Sequence, residues 1–304
     1  MRARYLHTSA RGEARRVSRG LRRRWFRWTR RTRALKRARY HDLVDYHIHT
    51  NLCGHAIGEP AEYVRAAAEL GLREIGFSDH MPLLRIKDDR LSMEPHQLPH
   101  YVSLVEGARG VADDVTVRLG IEMDYFPGQM DEIWDAAAGI DFDYVYGAVH
   151  YIDGWGFDDS RRLSSYQGRD PDETYERYFG LFCEAAREGG FDIMAHPDLV
   201  KKHGIICEAP LDDMYETAAA ALREAGVAIE VNTAGLRVRA AEAYPSLPFL
   251  KACSRHGVPV TLGSDAHAPH QVGVDFDVAL GLLARAGITE IATFERRNRT
   301  MRGI

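Results

Sequence analysis

Fourteen histidines occur in this chain of 304 residues, and several stand beside Asp, Gly or Pro at the ends of short apolar runs. The first run leads into Asp45-Tyr46-His47-Ile48-His49, with His55 shortly after. Side chains two apart on a strand share a face, so His47 and His49 can grip one cation. Later runs end in Ser78-Asp79-His80, Gly120-Ile121-Glu122-Met123-Asp124, Gly147-Ala148-Val149-His150, Met194-Ala195-His196 and Gly263-Ser264-Asp265-Ala266-His267. Imidazole and carboxylate donors suit Zn²⁺, Fe²⁺ or Mn²⁺, and the absence of paired thiols argues against an iron–sulfur site. The nine side chains are His47, His49, His55, His80, Glu122, His150, His196, Asp265 and His267. They are too many for one ion, and burying them without cations would be costly. His150 or His196 alone would read as an ordinary loop or capping residue, and Asp124 as a solvated or supporting carboxylate. The joint pattern carries the inference. His41, His96, His100, His203, His256 and His270 lack such partners and read as surface or substrate-loop residues.

These side chains need elements to bring them together. Apolar β-type runs fall at residues 43–48, 74–77, 115–121, 142–149, 191–195, 227–231 and 258–262. Helix-like segments fall at residues 60–70, 95–111, 129–138, 171–188, 211–225, 245–256 and 277–286. Pro60 opens the first helix and Gly71 closes it, as helix boundary signals require. Strand–helix alternation without a hairpin signal predicts an α/β fold with a parallel sheet, closed into a barrel. The two long irregular stretches, residues 81–94 and 151–170, follow strands on the face where barrel enzymes carry their sites.

Charge is split along the chain. Residues 1–40 carry 15 Arg, Lys36 and a single acid, Glu13, a net of +15, which leaves −19 on the remainder. The expected organisation is a disordered Arg-rich extension over residues 1–40, followed by one catalytic domain over residues 41–304. No apolar stretch follows the arginines as a secretory signal would need. Trp25, Phe26 and Trp28 would suit stacking on bases or anchoring at an anionic surface. Nucleic acid or such a surface could therefore be met only through this segment. No apolar run reaches the 18 residues that suggest a membrane-spanning helix. Four cysteines without a CxxC pair fit a reducing cytoplasm.

The motifs together resemble the polymerase-and-histidinol-phosphatase (PHP) superfamily, most closely its histidinol-phosphate phosphatase branch. The likeness runs from Asp45 to Gly273. The branch rests on Cys53-Gly54-His55, His196-Pro197-Asp198-Leu199-Val200-Lys201-Lys202 and Asn232-Thr233-Ala234-Gly235-Leu236-Arg237. The resemblance implies a distorted seven-stranded (β/α)7 barrel with three divalent ions. His47, His49, Glu122 and Asp265 would hold the first ion. Glu122 would bridge to a second, held also by His150 and His196, and His55, His80 and His267 would hold the third. Relatives often carry Glu where this chain has Asp79, one methylene shorter.

The implied reaction is hydrolysis of L-histidinol phosphate to L-histidinol and phosphate, a step of histidine biosynthesis. A metal-activated hydroxide near Glu122 and Asp265 would attack phosphorus in line. Arg237, Lys202 and Arg161 would neutralise the phosphate, Arg being favoured by its fork geometry. Asp88, Asp89, Asp158 and Asp159 would face the amine and imidazole of the leaving group. Two other classes compete: a nuclease of the same superfamily that holds its polynucleotide on the basic segment, and a non-catalytic metal-binding interaction module. The complete donor set weighs against the module, and the acidic body weighs against a polyanion track. Deleting residues 1–40 should leave turnover of a small phosphate ester unchanged. A steep salt dependence of oligonucleotide binding, lost with that deletion, would instead favour the nuclease.

Overall fold

The computed structural model describes residues 40–86 and 90–304. The expected basic extension therefore lies outside the described residues, except for Tyr40, and so do Asp88 and Asp89. Among the described residues eleven strands run in chain order: β1 Val44–Asp45, β2 Glu74–Phe77, β3 Thr116–Asp124, β4 Tyr144–Ala148, β5 Tyr151–Ile152, β6 Trp155–Gly156, β7 Ile193–Met194, β8 Ala228–Asn232, β9 Val260–Gly263, β10 Glu290–Glu295 and β11 Asn298–Gly303. The helices are α1 Pro60–Leu70, α2 Leu98–Ala108, α3 Met130–Ala136, α4 Pro171–Glu188, α5 Asp212–Ala225, α6 Leu247–His256 and α7 Phe276–Ala286.

Seven strands pair in parallel in the order β1-β2-β3-β4-β7-β8-β9. The two outer strands then meet. The Tyr46 N–H donates to the Leu262 carbonyl at 3.1 Å, the His49 N–H to Ala266 at 2.9 Å and the Ala266 N–H to His47 at 3.0 Å. The sheet thus closes almost fully into a barrel wrapped by helices, the expected α/β architecture. Helix boundaries follow local chemistry. Pro60 opens α1 beside a capping box between Glu59 and Glu62. The Asp170 side chain caps α4 by accepting from the N–H groups of Asp172 and Glu173. No helix among the described residues is long and apolar enough to cross a membrane, and all four cysteines are free.

Two hairpins depart from the expectation of uninterrupted strand–helix alternation. β5 and β6 turn through Asp153-Gly154, whose φ values are 50° and 81°. That pair is a recognised hairpin signal, but its two-residue arms are too short to read as strands. β10 and β11 turn through Arg296 and Arg297 at φ 47° and 63°. Such a turn ordinarily takes Asn or Gly, so nothing in its sequence announces it.

The lower barrel is filled by aromatic rings with anchored hydroxyls. Tyr144 stacks on Tyr46 at 4.8 Å between centroids, and its hydroxyl donates to the Tyr46 carbonyl at 2.6 Å. Phe294 of β10 plugs the floor beside both rings. Tyr144 reaches across two neighbouring strands because both carry glycine beneath it. A Cβ on Gly76 would stand 2.1 Å from the Tyr144 hydroxyl, and one on Gly120 would stand 2.3 Å from its ring. By contrast, a Cβ on Gly107 of α2 would meet nothing within 4 Å. Gly120→Ala should therefore destabilise the fold by about 1–3 kcal/mol. Gly107→Ala should stabilise it by about 0.5–1 kcal/mol. Urea unfolding midpoints of the two variants check the contrast, and equal effects would refute this account of the core.

Candidate active site

All nine candidate donors converge at the C-terminal end of the barrel. His47 and His49 follow β1, their ring centroids 5.0 Å apart, so the shared face read from their spacing is present. His80 follows β2, Glu122 lies on β3, His150 follows β4, His196 follows β7, and Asp265 and His267 follow β9. His55 is brought in by the short turn of helix at Asn51–Cys53 that Thr50 caps. His196 and Asp265 adopt positive φ, 25° and 54°, backbone strain of about 1–3 kcal/mol that clusters at functional sites.

Glu122 sits at the centre, fully buried. Its Oε1 lies 2.8 Å from His196 Nε2 and 3.7 Å from His150 Nε2. Its Oε2 lies 3.0 Å from His80 Nδ1, 3.4 Å from His47 Nε2 and 3.8 Å from His49 Nε2. Asp265 Oδ1 lies 3.2 Å from His49 Nε2. On the outer side, His267 Nε2 and His55 Nε2 approach to 2.9 Å, and the His267 ring stacks on His49 at 4.1 Å. Two ring nitrogens so close must share a proton or point at a common cation.

The reverse sides of the rings decide which nitrogen faces inward. Nδ1 of His47 meets Glu230 at 2.9 Å, that of His49 meets Asp79 at 3.4 Å, and that of His150 meets Asp124 at 2.9 Å. Nδ1 of His55 and His267 meet the carbonyls of Cys53 and Asp265 at 2.9 and 3.1 Å. With Nδ1 occupied, Nε2 carries the lone pair toward the centre. The shorter Asp79 still reaches its imidazole, and it also accepts from Thr50 N–H and Oγ1 and from His80 N–H. Asp124 is buried and supports His150. Among the described residues, His47 Nε2, His49 Nε2 and Glu122 Oε2 are buried without a hydrogen-bond partner. Buried polar atoms are rarely left unpaired, and three of them aimed at one another are what a divalent cation would satisfy. The donor set fits such ions.

Electrostatics agree. Burial alone would raise Glu122, yet the His80 and His47 imidazoles hold its carboxyl well below the usual range. Burial opposes charge on His47, but Glu230, Glu122 and Asp265 raise it well above an ordinary histidine. His150 rises to about 10 despite burial, through Asp124 and Asp158. His55 is pushed down to about 4 by burial and by the neighbouring His80 and His49.

Above these groups opens a cavity of about 570 Å³ whose wall includes Leu83, Tyr151, Asp158, Arg161, Lys202 and His203. Two of the cations in its wall are paired with acids: Lys202 Nζ lies 2.9 Å from Asp158 Oδ2, and Arg161 Nε donates to Asp159 Oδ1 at 2.9 Å. Arg237 does not line this cavity. Its guanidinium donates to the Ser264 carbonyl at 2.6 Å, bracing the turn that carries Asp265. His203 does line the cavity, its Nε2 2.9 Å from the Asp158 carbonyl. Sequence reasoning missed Glu230. An acid between the apolar Ile229 and Val231 of β8 was the available signal.

Comparison with known proteins adds four findings. A model of the PHP domain matches residues 45–234. A probable histidinol-phosphatase of Deinococcus radiodurans is 40% identical over 84% of this chain and 97% of its own length. The histidinol-phosphatase of Bacillus subtilis is 25% identical over 78% of this chain and 97% of its own. The crystal structure of histidinol phosphate phosphatase from Lactococcus lactis, complexed with zinc, L-histidinol and phosphate, superposes with a TM-score of 0.75. It is 23% identical, covers 85% of this chain and 99% of its own, and so shares the fold.

Imidazoles that are protonated in the metal-free protein must lose that proton to ligate an ion. Because His47, His49 and His150 are all raised, adding zinc near neutral pH should release protons. Calorimetric heats measured in buffers of different ionisation enthalpy check this, and heats independent of the buffer would contradict it.

Proposed function

The chain belongs to the PHP domain family, and from that premise we propose that it is a metal-dependent phosphomonoesterase that hydrolyses L-histidinol phosphate to L-histidinol and phosphate. The observation that carries this reading is Glu122, one buried carboxylate whose two oxygens face two sets of imidazoles beneath an open cavity. The 40% identical relative named as a probable histidinol-phosphatase supports the choice of substrate.

The residues present suit three divalent ions of the zinc, iron or manganese type. We assign His47, His49, Glu122 and Asp265 to one, Glu122, His150 and His196 to a second, and His55, His80 and His267 to a third. When bound, such ions acidify water and neutralise phosphoryl oxygens. The chain's own contribution is orientation and charge. Glu122 and Asp265 stay ionised at the floor of the cavity, where burial would otherwise favour their neutral forms. Lys202 and Arg161 offer positive charge to the phosphate from the wall, and Asp158 and Asp159 offer negative charge to the amine and imidazole of the leaving group. In the free protein these four neutralise one another. A ligand carrying both signs of charge can exchange with both pairs without leaving a bare ion behind. Arg237, the third cation read from the sequence as a phosphate partner, donates to the Ser264 carbonyl beside the turn of Asp265 in the free protein.

The metal-loaded full chain should release phosphate from L-histidinol phosphate with a kcat/KM well above that for nucleoside monophosphates or short oligonucleotides. A preference for the nucleotide substrates, measured side by side, would keep the phosphoesterase and overturn the substrate.

A further inference from the structure

Glu230 lies on β8 wholly inside the barrel, and four donors surround its carboxylate. Oε1 accepts from His47 Nδ1 at 2.9 Å and from the Tyr146 hydroxyl at 3.3 Å. Oε2 accepts from the backbone N–H of His196 at 2.8 Å and from Asn232 Nδ2 at 3.0 Å. The neighbouring strand leaves room for it only because Gly263 has no side chain. A Cβ there would stand 1.7 Å from Glu230 Oε1 and 2.6 Å from the Cβ of His47. One carboxylate therefore touches the ring of one candidate ligand and the backbone of another. Both of those imidazoles turn Nε2 toward Glu122, at 3.4 and 2.8 Å.

We propose that Glu230 is a positioning residue that fixes His47 and His196 for metal binding, an inference that rests on the metal reading of those two histidines. An ionised carboxylate only accepts hydrogen bonds, so His47 must present Nδ1–H to it and keep the Nε2 lone pair for the ion. The second oxygen anchors His196 at its backbone, where φ is 25° and the chain needs a fixed partner to hold that turn. The same side chain therefore sets the tautomer of one ligand and the placement of the other.

Glutamine cannot replace it in either orientation. With its amide nitrogen at the Oε1 position it would donate to His47 Nδ1, moving the ring proton to Nε2 and closing the ligating atom. With the nitrogen at the Oε2 position it would face the His196 N–H and the Asn232 amide, both of them donors. Aspartate keeps both acceptor oxygens.

The test measures zinc affinity of the full chain by chelator competition, ions bound per chain by elemental analysis, and ¹⁵N histidine resonances of the zinc-loaded protein. Glu230→Gln should fold yet bind its weakened ion about 10- to 100-fold less tightly, and Glu230→Asp should recover part of that loss. In the zinc-loaded wild type, His47 should show a protonated Nδ1 and a bare Nε2. Wild-type zinc affinity in Glu230→Gln, with only a lowered melting temperature, would reduce Glu230 to a structural role and overturn the proposal. A bare Nδ1 on His47 in the wild type would overturn it too, even if neither variant folded. A wild-type chain that takes up no zinc, iron or manganese would sink the metal reading itself and this role with it.

Discussion

The carboxylate of Glu122 is buried and ionised at the C-terminal mouth of a hydrophobic barrel, and the architecture around it answers the electrostatic problem this creates. An isolated buried carboxylate would take up a proton or disrupt the fold. Five imidazoles from four separate strand ends point ring nitrogens at its two oxygens. His196 reaches one oxygen at 2.8 Å, while Oε2 keeps no hydrogen-bond partner, a deficit that divalent ions would relieve. On their outer sides the rings of His47, His49 and His150 are held by Glu230, Asp79 and Asp124. The scaffold is therefore held rigid on the outside of the site.

That rigidity is inherited from the barrel below. Along β4, Tyr144 fills the space over Gly76 and Gly120, while Tyr146, two residues nearer the site, stacks on the His47 ring at 4.9 Å and reaches Glu230 with its hydroxyl. The inward-facing residues thus change from apolar rings with anchored hydroxyls, through a buried glutamate, to the histidines. Glycine recurs where a large inward side chain crosses a neighbouring strand: Gly76 and Gly120 under Tyr144, Gly263 under Glu230. Packing and chemistry share these positions, so a change at the floor is transmitted to the ligands within two residues of strand.

Above the centre, the cavity wall carries two oppositely charged pairs. Lys202 with Asp158, and Arg161 with Asp159, are paired across short distances. A wall of unpaired cations would attract any polyanion, whereas paired opposite charges favour a ligand that brings both signs of charge. This agrees with a small zwitterionic phosphate ester and with the net −19 of residues 41–304.

Much of this was legible in the sequence, because the relevant signals are local. His47-Ile48-His49 and Asp265-Ala266-His267 announce paired donors. Pro60 and Gly71 announce helix boundaries. The apolar runs announce parallel strands at nearly the observed positions. The sequence by itself determined the donor types, their order along the chain and the alternation that must bring them to one rim. Only the tertiary structure decided which donors touch, because Glu122 meets His196 across 74 residues and His47 meets Glu230 across 183. It also turned Arg237 away from the cavity onto Ser264 and paired Lys202 with Asp158. Spacing along a chain cannot report such contacts, since the charge a cation meets is set by whatever strand or loop packs opposite it. For the same reason Glu230 passed unnoticed in an apolar strand: its meaning lies in four donors that come from elements folded around it.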